Sequence, residues 1–140
     1  MNRSRFDDYI RRFNAQDPGA FDDYLLPDVN VVNGTLRLDG VAAMKAHYAA
    51  IWATFFEVVH IERYVADEAT LAVQMWTHFS ARRDDAASPF GVVRAGDRYD
   101  FRGLVMYRLA DARFSSICVA YNSFTHSSVD GRVTQLGIVH

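Results

Sequence analysis

Four side chains in this sequence have the chemistry to act on a bound small molecule: Tyr9, Asn33, His47 and His78. Tyr9 belongs to the stripe Phe6, Tyr9, Ile10 and Phe13, spaced as one apolar face of an amphipathic helix. A phenol carried into an apolar interior must find a hydrogen-bond partner. A substrate oxygen gathering negative charge would be such a partner. The plainer reading is a core tyrosine bonded to Tyr48 or to backbone. Asn33 closes the strand-like run Val29-Asn30-Val31-Val32-Asn33, just before Gly34. Its amide both donates and accepts, so it could orient a water or a carbonyl. Before a glycine it also reads as an ordinary turn residue.

His47 stands one residue before Tyr48, on the flank of a long helical stripe. Facing an apolar cavity, its imidazole would lose its charge by desolvation and become a neutral base near pH 7, fit to move a proton. Partly exposed, it would be only a surface histidine. His78 follows Trp76-Thr77 in a long strand-like run. Strict alternation and a bulge would put it on opposite faces of a sheet. Arg102 interrupts Phe101-Arg102-Gly103-Leu104-Val105 and needs an anion there. A carboxylate across a subunit interface and a substrate carboxylate both answer that need, and Gly103 beside it suggests a bulge or a close backbone approach.

Other chemistries leave no mark. His60, His126 and His140 show no ligand spacing and no zinc-type His-Glu cluster is present, so no metal is expected. There is no glycine-rich phosphate loop, and the reading is of a protein without a cofactor. Composition leaves Ser-His-Asp catalysis open, but no nucleophile-elbow motif exists. Cys118, the single cysteine, lies in Ile117-Cys118-Val119 and reads as a small buried hydrophobe. The net charge of −2 and the isolated pairs Arg11-Arg12 and Arg82-Arg83, each near Asp residues, offer no basic stripe for nucleic acid. The start of the chain has no apolar signal core. Its longest largely apolar stretch, Tyr48 to Phe56, is far too short to span a bilayer. A cytoplasmic protein with no membrane contact is expected.

The elements that must position these groups follow from periodicity. In 140 residues, 50% of them apolar and 14% aromatic, one hydrophobic core is expected. So much ring surface is easiest to bury if some rings line a cavity. The first helix, with Ser4 as cap and Asp7-Asp8 in its first turn, ends near Asn14 to Asp17 before Pro18-Gly19. A short second helix carries Phe21, Tyr24 and Leu25 and stops at Pro27-Asp28. Two short strands, Val29 to Asn33 and Thr35 to Asp39, surround Gly34. Gly40 opens the longest helix, with the stripe Val41, Met44, Tyr48, Ile51 and Phe55, and with His47 and Trp52 on its flanks. Four strand-like runs follow: Phe56 to Val65, Ala69 to Ala81, Asp100 to Leu109 and Phe114 to Phe124. The connection 82–98 is long enough to be a rim or lid over a site, or else a hairpin tip. Helices followed by long strands predict an α+β layer with a mostly antiparallel sheet. Rows such as Ala72, Gln74, Trp76, His78 and Tyr107, Leu109 suggest a second, half-apolar sheet face on which a homodimer would form.

Three local patterns, in this order, carry a resemblance to a known family. They are Tyr9-Ile10-Arg11-Arg12-Phe13-Asn14-Ala15-Gln16-Asp17, then Asp39-Gly40-Val41-Ala42-Ala43-Met44 running into His47-Tyr48, then Val65-Ala66-Asp67-Glu68-Ala69-Thr70-Leu71-Ala72-Val73. Over residues 5 to 125 the chain resembles the nuclear-transport-factor-2-like superfamily, in its ketosteroid-isomerase and SnoaL-like polyketide-cyclase branch. The resemblance implies a cone: three N-terminal helices packed on a strongly curved sheet that encloses a pocket. It implies one domain over 1–125, with the tail 126–140 docked on the pocket mouth or on a partner subunit. It places Tyr9 on the tyrosine that donates to the substrate oxygen in ketosteroid isomerases, and Tyr48 on the tyrosine that supports it. The proton-moving aspartate of the isomerases corresponds to Asn33 and their second acid to Val105, so steroid isomerisation by that route is not expected. Asn33 also resembles the water-holding asparagine of limonene-epoxide-hydrolase-like relatives, whose arginine and aspartates fall near Gln74 or Trp76 and Val119. By the same pattern Tyr48, Trp52, Val73, Met75, Thr77, Val105, Val119 and Tyr121 line the pocket.

The function implied is cofactor-independent proton transfer on an apolar, oxygen-bearing small molecule: isomerisation, dehydration or polyketide-type cyclisation. His47 or His78 would move the proton. The alternative is a non-catalytic module of the same fold, holding a hydrophobic ligand or a partner protein.

Overall fold

The computed structural model describes residues 1–137. Helix α1 spans Arg3–Asn14 and buries Phe6, Tyr9 and Phe13, the stripe its sequence spacing dictates. It begins two residues earlier than Ser4 would allow as a cap: Asn2 caps it, its side chain accepting from the Arg5 N–H at 2.9 Å. Asp7 and Asp8 therefore fall beyond the first turn, where Asp7 pairs with Arg3 and Asp8 with Arg11. Helix α2, Gly19–Tyr24, is a single short piece. Strand β1, Leu25–Asn33, follows it directly, so extended backbone starts before Pro27 rather than after it. The proline has no N–H to give to a ladder and is tolerated near the start of the strand. A turn at Gly34, with φ +59°, leads to β2, Leu36–Asp39.

Helix α3, Gly40–Thr54, runs across the sheet and buries Met44, Ile51 and Trp52. Gly40 has φ +84°, and a Cβ there would stand 2.9 Å from the Pro27 carbonyl oxygen. Only glycine lets the chain turn from strand to helix so close to β1. Strands β3, Phe55–Ala66, and β4, Thr70–Ala81, form a long antiparallel hairpin. The segment 82–98 is neither lid nor slack tip. It folds into a second small hairpin, β5 Asp85–Ser88 and β6 Gly91–Val93, whose Phe90 packs on Phe55, Phe79, Tyr99 and Phe124. Strands β7, Arg98–Ala110, and β8, Arg113–Ser127, are joined by a tight turn in which Asp111 and Ala112 take positive φ. The tail folds back as β9, Val133–Gln135, on the end of β8. The last part of the apolar end read as docking, 138–140 with His140, lies outside the described residues.

The main sheet runs β2-β1-β8-β7-β4-β3, antiparallel except between β1 and β8. It is curved and not closed, and the three helices pack on its concave face. Alternation sorts every strand: Val105 and Tyr107 turn inward, while Leu104 and Met106 stay half exposed on the outer face. Cys118 corrects the expectation of a buried thiol. Ile117 and Val119 point inward, so parity sends Cys118 out, and it is exposed. No helix among the described residues is long and apolar enough to cross a membrane.

Candidate active site

The concave face of the sheet and the three helices leave a cavity of about 90 Å³ between them. That is well below the usual range for ligand pockets, roughly 300–1,000 Å³. The cavity as it stands suits a ligand of a few heavy atoms. Tyr9 enters it from α1, where Phe6, Tyr24 and Phe114 hold its ring at 5.1–6.2 Å. Tyr48 and His47 enter from α3, edge to face with each other at 5.1 Å. Asn33 reaches it from the end of β1, half buried. Met75 and Thr77 come from β4, Val105 from β7 and Val119 from β8.

Three of the residues read from the resemblance, and one of the two candidate histidines, do not line it. Trp52 is buried one layer behind, stacked on Phe21 at 5.9 Å. Val73 is packed in the core, and Tyr121 lies farther along β8 against Phe101 at 5.7 Å. Pairing with β7 is regular from Val119 to Tyr121, so Tyr121 keeps the parity of Val119 and misses the cavity because it stands farther along the strand, next to the bulge between Arg102 and Gly103. His78 is the plainest correction. β4 keeps regular pairing from Thr70 to Ser80, so no bulge swings it inward. Its ring bonds Asp100 on the outer face. Arg102 stands on that face as well, bonded to Glu62 at 2.6 Å and lying over Trp76 at 4.9 Å.

Two cavity residues with ionisable groups are not anticipated from the sequence: Glu57 on β3, and Tyr107 on β7, which the sequence places on the outer face and the structure turns inward. The signal for Glu57 is its parity. Phe55, Glu57 and Val59 alternate on one face of the strand, and all three are buried. Glu57 is 5% exposed, and among the described residues the one side chain that bonds it is Trp52, whose indole N–H donates to Oε2 at 3.1 Å. Loss of water around the carboxyl raises its pKa from an ordinary 4.5 to about 8, against a smaller downward pull from the Trp52 bond. At neutral pH this is a carboxylic acid with a proton to give.

The phenols around it are equally dry. Burial raises Tyr9, Tyr48 and Tyr107 above the usual phenol range. Negative charge on Glu57 raises Tyr9 and Tyr48 further, so the carboxyl lies within electrostatic reach of both rings. No side chain among the described residues bonds the hydroxyl of Tyr9, Tyr48 or Tyr107. Each is a donor left free for a ligand oxygen. Desolvation lowers the pKa of His47, which favours its neutral form. The result is a set of neutral acids, an amide and a neutral imidazole around an apolar hollow. Such a set can hold an oxygen and move one proton. Among the described residues, no three His, Cys, Asp or Glu side chains cluster closely enough to hold a metal ion.

The comparisons with known proteins agree with this architecture. The family model for the SnoaL-like domain matches residues 6–117. A protein of Xanthomonas campestris pv. campestris, assigned as a polyketide cyclase, superposes with a TM-score of 0.73 at 20% identity, over 85% of this chain and 88% of that one. A SnoaL-like polyketide cyclase of Agrobacterium tumefaciens gives 0.66 at 15% identity, over 84% and 88%. An epoxide hydrolase of the LEH-like type from M. tuberculosis gives 0.68 at 15% identity, over 85% and 80%. At these identities the likeness is one of fold. No curated protein matches the sequence closely enough to count as a relative.

Proposed function

Because the chain belongs to the SnoaL-like domain family, we propose that it is a small enzyme that moves a proton on an apolar, oxygen-bearing molecule, with Glu57 as the acid–base group. Tyr9 and Tyr48, joined by Tyr107, donate hydrogen bonds to the substrate oxygen and stabilise the charge that gathers on it. Glu57 gives or takes the proton, His47 acts as a second, neutral base at the cavity edge, and Asn33 orients substrate or water. The cavity volume limits the substrate to a small carbonyl or hydroxy compound unless the walls part. The reaction class is enolisation-driven isomerisation, dehydration or ring closure.

One observation carries this reading: a buried glutamic acid, its pKa raised by loss of water, in a cavity with three phenols whose hydroxyls no side chain among the described residues bonds. Buried acids with pKa values moved toward neutrality concentrate at reactive sites. The test is α-proton exchange of small cyclic ketones and enones in D₂O, followed by NMR. Wild-type protein should accelerate exchange, and Glu57→Gln should lose about 10²-fold or more of that acceleration. Equal rates for the two proteins would refute the role of Glu57.

The replacement of both isomerase acid positions by Asn33 and Val105 supports a second reading, a binder of the same ligand class without turnover. Ligand-dependent thermal stabilisation with no exchange would identify it. In either case a second copy would pack on the outer sheet face around Leu104 and Met106, which are 51% and 53% exposed. Sedimentation of Leu104→Lys as a monomer, beside a dimeric wild type, would establish that interface.

A further inference from the structure

The outer face of the sheet carries a second set of reactive side chains, separated from the cavity by the sheet itself. Trp76, His78 and Ser80 share outward parity on β4, and β7 sets Asp100 opposite His78 and Arg98 opposite Ser80. Ser80 Oγ lies 3.2 Å from His78 Nε2. His78 Nδ1 lies 2.8 Å from Asp100 Oδ1, and the Trp76 indole N–H donates to that same oxygen at 2.7 Å.

The proton positions follow from the donor inventory. An indole N–H can only donate, so Asp100 Oδ1 accepts. Burial pushes the Asp100 carboxyl up, but the bonds from His78 and Trp76 outweigh it and hold the group below its ordinary range. As a carboxylate it has no proton to give, so the proton between it and His78 sits on Nδ1. In the neutral ring that tautomer leaves a lone pair on Nε2, and the Ser80 hydroxyl is within reach to donate to it. Hydroxyl, imidazole and carboxylate stand in the order that activates a serine. The side chains of His78 and Asp100 are 28% and 32% exposed in the single chain, so a ligand reaches them where a second copy covers only the Leu104 and Met106 part of this face. Ser80 has Phe56 as its register partner on the other side, a ring 58% exposed. Arg98 shares its face and offers a cation to a developing oxyanion. Leu104 and Met106, paired with Gln74 and Ala72, lie farther along the same strands, on the other side of Trp76 and Arg102.

We propose that Ser80, His78 and Asp100 form a nucleophilic relay that takes the acyl group of activated esters of small acids. Ser80 Oγ bonds to the ester carbonyl carbon while His78 Nε2 takes the hydroxyl proton. The carbon–oxygen bond to the alcohol then breaks, and His78 returns that proton to the leaving oxygen. Water attacks the acyl-serine and gives its proton to His78. The ester bond to Ser80 breaks, Oγ recovers the proton, and the carboxylic acid leaves. Asp100 is the positioning residue: it fixes the ring tautomer and balances the imidazolium.

The experiment treats the intact protein with an alkyl fluorophosphonate and maps the adduct by mass spectrometry, and measures p-nitrophenyl acetate hydrolysis in parallel. One adduct per chain is expected, on Ser80. Ser80→Ala and His78→Gln should lower ester hydrolysis by about 10²-fold or more. Asp100→Asn, which keeps the shape but lets the ring reverse its tautomer, should lower kcat while leaving KM in place. An adduct on another residue, no adduct at all, or wild-type hydrolysis by Ser80→Ala would overturn the proposal. Mapping uses the unaltered protein, so its result stands even if a variant does not fold.

Discussion

The indole N–H of Trp52, in the last turn of α3, donates to Oε2 of Glu57 in the first residues of β3 across 3.1 Å. Five residues of chain separate the two, so the helix-to-strand corner itself builds the bond. It fixes one carboxyl oxygen of a side chain that lines the cavity. Because the donor is neutral, it steadies the acid without stripping away its proton.

Trp52→Phe should keep the ring stack on Phe21 and remove the donor. The bond lowers the Glu57 pKa, so its loss should raise that pKa above its present value of about 8. The buried oxygen loses its partner, a cost of about 1–3 kcal/mol. Urea unfolding at pH 7, beside the Glu57 titration, checks both signs.

Glu57 also makes stability depend on pH. Its folded pKa lies above the unfolded value of 4.5, so the folded state holds the extra proton between about 4.5 and 8. Stability from this group is complete below pH 4.5 and is lost as pH rises through 8. Glu57→Gln should match wild type at about pH 4.5 and be the more stable protein at about pH 9. At 1.36 kcal/mol per pKa unit the gap is at most about 5 kcal/mol. Thermal unfolding of both proteins across this range tests the sign.

Tyr9→Phe removes a hydroxyl that no side chain among the described residues bonds. Its ring contacts remain, so stability should change by less than about 1 kcal/mol. Proton exchange on a ketone substrate should fall about 10²-fold or more, as for an oxyanion donor. A large loss of stability with unchanged exchange would mark Tyr9 as purely structural.

Gly103→Ala tests the sheet. A Cβ there would stand 2.6 Å from the Ala120 carbonyl oxygen and 2.9 Å from the Tyr121 Cα, both backbone atoms. The bulge beside Arg102 has no slack to accept it, and a loss of about 1–3 kcal/mol is expected. Urea midpoints measure it.

Much of this architecture is legible in the sequence because two periods carry it. The i, i+3, i+4 spacing of Phe6, Tyr9, Ile10 and Phe13 decides the face of α1, and Gly40 marks where α3 begins. Period two is harder to follow residue by residue. Cys118 reads as buried from its apolar neighbours, although Ile117 and Val119 claim the inward face. Glu57 hides because a charged residue near a strand end usually marks solvent. The bulge at Arg102 and Gly103, just past Tyr121, depends on pairing between distant segments and leaves only a glycine as its trace. The hairpin in 82–98 owes its place to Phe90, a single aromatic residue in a polar stretch, whose four ring partners come from four other strands.

The most direct measurement is the titration of Glu57 itself, by carboxyl ¹³C NMR with Glu57→Gln supplying the assignment. A midpoint near 8 is the result this account requires. A midpoint at the ordinary glutamate value, roughly 4.3, would mean the carboxyl meets water and holds no proton at neutral pH. That outcome would contradict the acid–base role on which the proposed reaction rests.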